Sequence, residues 1–153
     1  MLLFAPRNIA LLMIASTPIA VSAQATKAAA TPSGAVEEFM RALADSNLTR
    51  MAELFGNSKG PVVKTKPKDF QKKIVLMQLF LHGVQAQTLG EVPGANGMRT
   101  VTTLLTSHGC KVTIPVNVAK APEGWLVHDF KLDDAAEVNR PCETSRRPGN
   151  RRN

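Results

Sequence analysis

The 153-residue chain has no tyrosine, one tryptophan, two cysteines and three histidines. Each scarcity closes off a chemistry. The histidines, His82, His108 and His128, are scattered and share no spacing of the H-x-x-x-H kind, so no metal site is expected. No G-x-S-x-G, no phosphate-binding loop and no G-x-G-x-x-G occurs, and no cofactor is expected. Acidic residues are nearly missing from apolar faces; Asp129 is the exception, and strand alternation turns it outward. No segment is long and apolar enough to predict a membrane span. Aromatics are scarce among the lysines, with only Phe70 between them, and single-stranded nucleic acid is held by stacking on such rings. Nucleic acid is therefore not an expected partner.

The N-terminus reads as an export signal. Arg7 is the only charge before Lys27, and the apolar run Ile9 to Ala15 follows it. Small residues then lead to Val21-Ser22-Ala23 and Ala23-Gln24-Ala25, both A-x-A-like cleavage sites. Residues 1–23 are read as a signal peptide, with cleavage after Ala23 or Ala25. No cysteine lies near that point, so no lipid anchor is expected. The expected location is periplasmic or secreted. In an oxidising compartment the pair Cys110 and Cys142 favours a disulfide. Its loop of roughly 30 residues would add about 3–4 kcal/mol in the chain-entropy model.

The net charge of +7 sits mostly at the end. Residues 140–153 carry five arginines, at 140, 146, 147, 151 and 152, against Glu143. This tail carries Cys142 but almost nothing to bury, and it is expected to be disordered. Residues 24–32, rich in Ala and Thr, are expected to be a flexible lead-in, which leaves one domain at 33–139. Within it Lys59, Lys64, Lys66, Lys68, Lys72 and Lys73 make a basic patch diluted only by Asp69. That patch reads either as a solvated loop and helix start or as an anion-facing surface.

Periodicity predicts three helices and then strands. Val36, Phe39, Met40 and Leu43 fall on one helical face, as do Leu48, Met51, Ala52 and Phe55 after the N-cap residue Asn47. A third helix is expected from Pro67 to His82; its apolar set widens until its second half should be largely buried. Strands follow at Val84–Glu91, Met98–Ser107, Cys110–Ala119 and Trp125–Leu132, separated by short turns, which means an antiparallel meander. Pro115 marks an edge or a bulge. In the last strand, alternation places Leu126, His128, Phe130 and Leu132 toward the helices, and Trp125, Val127, Asp129 and Lys131 outward. The class is α+β, with the helices on one face of the sheet.

The segments Ala35-Val36-Glu37-Glu38-Phe39-Met40-Arg41-Ala42-Leu43-Ala44-Asp45 and Leu48-Thr49-Arg50-Met51-Ala52-Glu53-Leu54-Phe55 resemble the opening of NTF2-like domains. The ending Gly124-Trp125-Leu126-Val127-His128-Asp129-Phe130-Lys131-Leu132 resembles their last strand. The similarity is closest to small exported NTF2-like proteins of unknown function, of the DUF4878 and lumazine-binding-like type, and covers Ser33 to Asp133. It implies a curved antiparallel sheet of about four strands wrapped on a long helix to form a cone with a pocket. It implies no single function, because a fold is not an activity. NTF2-like isomerases use a tyrosine-based oxyanion hole, and this chain has no tyrosine.

Three functions follow as expectations. The first is a non-catalytic domain that binds a small apolar ligand or a protein partner. Its pocket walls would be Phe39, Leu43, Phe55, Ile74, Met77, Val116, His128 and Phe130. The second is a small enzyme in which His128, with Asp129 or His82, moves a proton. The bland alternative for His128 is a core-edge histidine satisfied by one hydrogen bond. The third is an envelope-surface protein acting through the basic patch and the tail. Trp125 turned outward would add a surface for a homodimer.

Overall fold

Thr31 caps the first helix: its Oγ1 accepts a hydrogen bond from the Gly34 amide at 3.0 Å. The computed structural model describes residues 28–65 and 67–139, the side chains of 67–69 excepted. The signal peptide, residues 24–27 of the lead-in, Lys66 and the tail from residue 140 lie outside the described residues, and so does the side chain of Lys68. Helix α1 spans Pro32–Ala44 and α2 spans Leu48–Leu54, with Asn47 Oδ1 accepting from the Arg50 amide at 3.0 Å. Arg50 joins the two helices, reaching Glu38 at 2.7 Å and Glu53 at 3.3 Å.

A small hairpin follows, β1 Gly56–Asn57 with β2 Gly60–Pro61, then a single turn α3 Val62–Thr65 and the long helix α4 Pro67–Leu81. The sheet comprises β3 Gln85–Pro93, β4 Arg99–Ser107, β5 Cys110–Ala121 and β6 Gly124–Phe130, antiparallel in that spatial order. A short α5, Leu132–Ala136, ends the regular structure before a turn of 3-10 helix at Glu137–Asn139. Helices followed by a four-stranded meander make the α+β class, and the layout is the one expected of an NTF2-like domain.

The core lies between the helices and the inner face of the sheet. Val36, Phe39 and Leu43 of α1 and Ile74, Met77 and Leu81 of α4 meet Val101, Leu105, Ile114, Val116 and Val118 of the strands. A fully buried side chain of this size contributes about 1.5–3 kcal/mol. Pro115 sits where β6 has ended, so that part of β5 has β4 as its one strand neighbour and the missing amide costs no ladder bond.

Three expectations need correction. The lead-in is not wholly loose: Ala28 and Ala29 are buried, and the Trp125 amide donates to the Ala29 carbonyl at 2.8 Å. Gly124, at φ +145, lies beneath them; a Cβ there would stand 2.6 Å from the Ala29 carbonyl oxygen. The second half of α4 is not largely buried: Val75, Leu76, Leu79 and Phe80 are 51, 45, 71 and 42 % exposed. A helix apolar all round is buried only if neighbours surround it. Here the core side is satisfied by Ile74, Met77 and Leu81, and the other side is open to solvent.

The third correction concerns β6. Asn117 pairs with Asp129 but Val118 pairs with Val127, so His128 is an extra residue in the ladder. A bulge of this kind shifts the side-chain phase by one. Val127 therefore joins the main core with Phe130, and Trp125 packs against that core, half-buried, instead of standing outward. Leu126 turns to a separate small cluster with Ala28 and Ala121.

Candidate functional site

The residues expected to line a cone pocket come together, but as packed core. Phe39, Leu43, Met77 and Val116 are fully buried; Phe55, Ile74 and Phe130 are at most 5 % exposed. Phe39 holds the middle, its ring centroid 6.2 Å from that of Phe55 and 6.4 Å from that of Phe130, in tilted contacts typical of aromatic clusters.

His128 stands at the rim of this core, not among its walls. The bulge turns it toward the β1 segment, where its Nδ1 lies 2.9 Å from the Gly56 carbonyl oxygen. With that nitrogen protonated the imidazole donates to the carbonyl and fastens β1 to β6. Gly56 is pressed close there: a Cβ would meet the Gly60 carbonyl oxygen at 2.4 Å and Leu126 Cδ1 at 2.8 Å. Among the described residues no hydrogen bond or ion pair joins His128 to Asp129 or His82, and no group of His, Cys, Asp or Glu could hold a metal. His82 is exposed just past α4. His108 lies in the β4–β5 turn with Nδ1 2.9 Å from Ser107 Oγ.

The basic patch is only partly assembled. Lys59 and Lys72 are exposed and have no carboxylate partner among the described residues. Lys64 reaches Glu123 at 3.0 Å, both side chains more than half exposed, and Lys73 places its ammonium 4.8 Å from the centre of the Phe55 ring. An exposed pair like Lys64–Glu123 adds little to stability. Cys110, half-buried at the start of β5, has no free thiol. Its expected partner Cys142 lies outside the described residues.

Two openings among the described residues lie on the surface. One, of about 390 Å³, lies between α1 and β3, where Thr88 Oγ1 donates to Glu37 at 2.6 Å beside Arg41. Another, of about 340 Å³, runs between α2 and α4 over Leu48, Ala52, Val63, Phe70, Ile74 and Val75. Of the eight expected pocket residues, Ile74 is the one that lines either of these grooves. The α2–α4 groove continues at Val75 into a shallow depression formed by Gln71, Lys72, Val75 and Leu76. Leu48 and Val63, 41 and 40 % exposed, extend the apolar area across the groove.

Composition alone does not reveal this surface: Val75, Leu76, Leu79 and Phe80 are apolar, which suits burial whether or not a neighbour covers them. The usable signal was their spacing: Val75 and Leu79 are four apart and offset from Ile74 and Met77, which marks a second stripe on the helix.

No helix among the described residues is long and apolar enough to cross a membrane. No protein-family model matches this chain, and no curated protein does. Among solved structures, a neighbour is a Campylobacter jejuni protein named "Putative NTF2-like transpeptidase". It is 17 % identical, the match covers 62 % of this chain and 95 % of that one, and the TM-score is 0.43.

Proposed function

We propose that this is an exported, non-catalytic NTF2-like domain that binds through the outward face of α4, with the helix–sheet core as its scaffold. The carrying observation is the exposure of Val75, Leu76, Leu79 and Phe80 along one helix. Contiguous apolar surface of this kind usually marks an interaction site. Export rests on the signal pattern of residues 1–23, and the oxidising compartment it implies supports a Cys110–Cys142 bond. The filled core argues against a ligand held inside the cone. The Gly56 contact of His128 accounts for that residue without proton transfer.

The test is the size at which the chain travels in an extract of its own host. Wild type is expected with membranes or in a complex larger than itself, and Leu79→Glu is expected to run as the isolated chain. If both variants travel alike, the reading fails. The disulfide has its own check: Cys110 and Cys142 should resist alkylation until a reductant is added, and prompt alkylation without reductant excludes the bond.

A further inference from the structure

We infer that the partner of the α4 face is a second copy of this chain, docked across a two-fold axis so that the two α4 helices lie antiparallel. This rests on the binding reading above and names its partner. The first argument is the symmetry of the face. The exposed residues Val75, Leu76, Leu79 and Phe80 are placed evenly about the point between Met77 and Gln78. A two-fold axis through that point sets Leu79 level with the partner subunit's Leu76, and Phe80 level with the partner subunit's Val75. One patch then serves both copies, as a closed pair requires. Val75 with Leu79 and Leu76 with Phe80 are neighbours four apart, and such rows form the ridges that interdigitate when helices pack.

The second argument is charge. Lys72, exposed and without a carboxylate partner among the described residues, shares a depression with Val75 and Leu76 at the N-terminal end of the stripe. The C-terminal end is acidic. There α5 packs against α4, Asn139 donates through Nδ2 to the Phe80 carbonyl, and Asp133, Asp134 and Glu137 of this segment are exposed. A patch that is basic at one end and acidic at the other opposes a copy laid parallel and accepts one laid antiparallel. Lys72 stands about 8 Å before the two-fold point along the helix axis. That brings it level with the partner subunit's Gly83, just past the end of the partner's helix and on its acidic side. Exposed pairs of this kind add little energy, so the charges set the orientation and the apolar residues supply the affinity.

The third argument is area. With Leu48 and Val63 across the groove, six apolar residues are 40–71 % exposed, on the order of 500 Å² on each copy. A homodimer interface of standard size covers about 800 Å² per partner and is about two-thirds apolar, which is the same amount.

The experiment is sedimentation velocity of the full chain, purified from its host in its processed form, over a series of concentrations. Wild type is expected at twice the mass of one chain. Leu79→Glu should raise the dissociation constant by about a hundredfold, since each pair loses an apolar anchor twice. The unfolding midpoint should rise with protein concentration in wild type and not in Leu79→Glu, and at high dilution the two should unfold alike. Lys72→Glu, and separately Asp133→Lys with Asp134→Lys, should each weaken the dimer several-fold, because like charges then meet at both ends. Mixed together, these two proteins regain unlike charges at both ends and should pair about as well as wild type. Far-ultraviolet circular dichroism confirms that each variant is folded. A wild-type dimer untouched by Leu79→Glu overturns the inference, and so does a mixture no stronger than its components. If purified wild type is a single chain while Leu79→Glu still leaves the large fraction in the host extract, the face belongs to another protein or to a membrane; the dimer falls and the binding reading stands. If Leu79→Glu changes neither measurement, both fall.

Discussion

Helices α1 and α4 are similar in length and contribute to the same core, yet they treat their apolar residues differently. In α1 the apolar positions Val36, Phe39, Met40 and Leu43 are all buried, and Glu37, Glu38 and Arg41 occupy the far side. In α4 the inner positions Ile74, Met77 and Leu81 are just as buried, but the far side carries Val75, Leu76, Leu79 and Phe80. The first helix has the division expected of a surface helix whose one task is packing. The second has two apolar faces and one set of neighbours. Folding accounts for its inner face, and the outer face calls for a different explanation.

That contrast can be tested by substitution. The largest effect is expected at Phe39→Ala, which empties the centre of the aromatic cluster and should cost about 3–5 kcal/mol in urea unfolding. Met77→Ala, on the inner face of α4, should follow at about 2–5 kcal/mol. A small loss at Met77 would mean that α4 is loosely seated and would break the symmetry between the two inner faces. Leu79→Ser, two residues further along the same helix, should change stability by less than about 0.5 kcal/mol. A large loss there would place Leu79 in an intramolecular contact and remove the distinction between the faces of α4.

Much of this fold was legible in the sequence, and the parts that were not share a cause. Helix α1 and strand β5 follow from periodicity, since each has a repeating apolar set against one partner layer, whereas β4, with the half-polar inward set Val101, Thr103, Leu105 and Ser107, follows from its Thr- and Leu-rich composition. The hairpin of β1 and β2 is two residues on each side, too short to show a period. The bulge at His128 is a property of two strands counted against each other, and alternation along one strand cannot reveal it. For the same reason alternation alone turns Trp125 and Val127 outward, whereas the bulge brings them to the core. The candidate site was hidden differently: the residues of the outer α4 stripe were visible, but hydrophobicity does not say whether a neighbour exists to cover them. His128 was visible as the one histidine in the last strand, whereas its contact depends on a segment far away in the sequence, at Gly56.

The seat of Ala28 and Ala29 on β6 also orders events in time. Synthesis from the N-terminus presents these two alanines at the outset, but their hydrogen-bond donor, the Trp125 amide, and the side-chain-free notch at Gly124 arrive nearly a hundred residues later. The contact has one of the largest sequence separations in the domain, and such contacts close late because the whole intervening loop must be ordered first. The beginning of the domain therefore waits unpaired until the last strand has been delivered. Protection of the Trp125 amide from hydrogen exchange is a clock for the moment when the domain has locked.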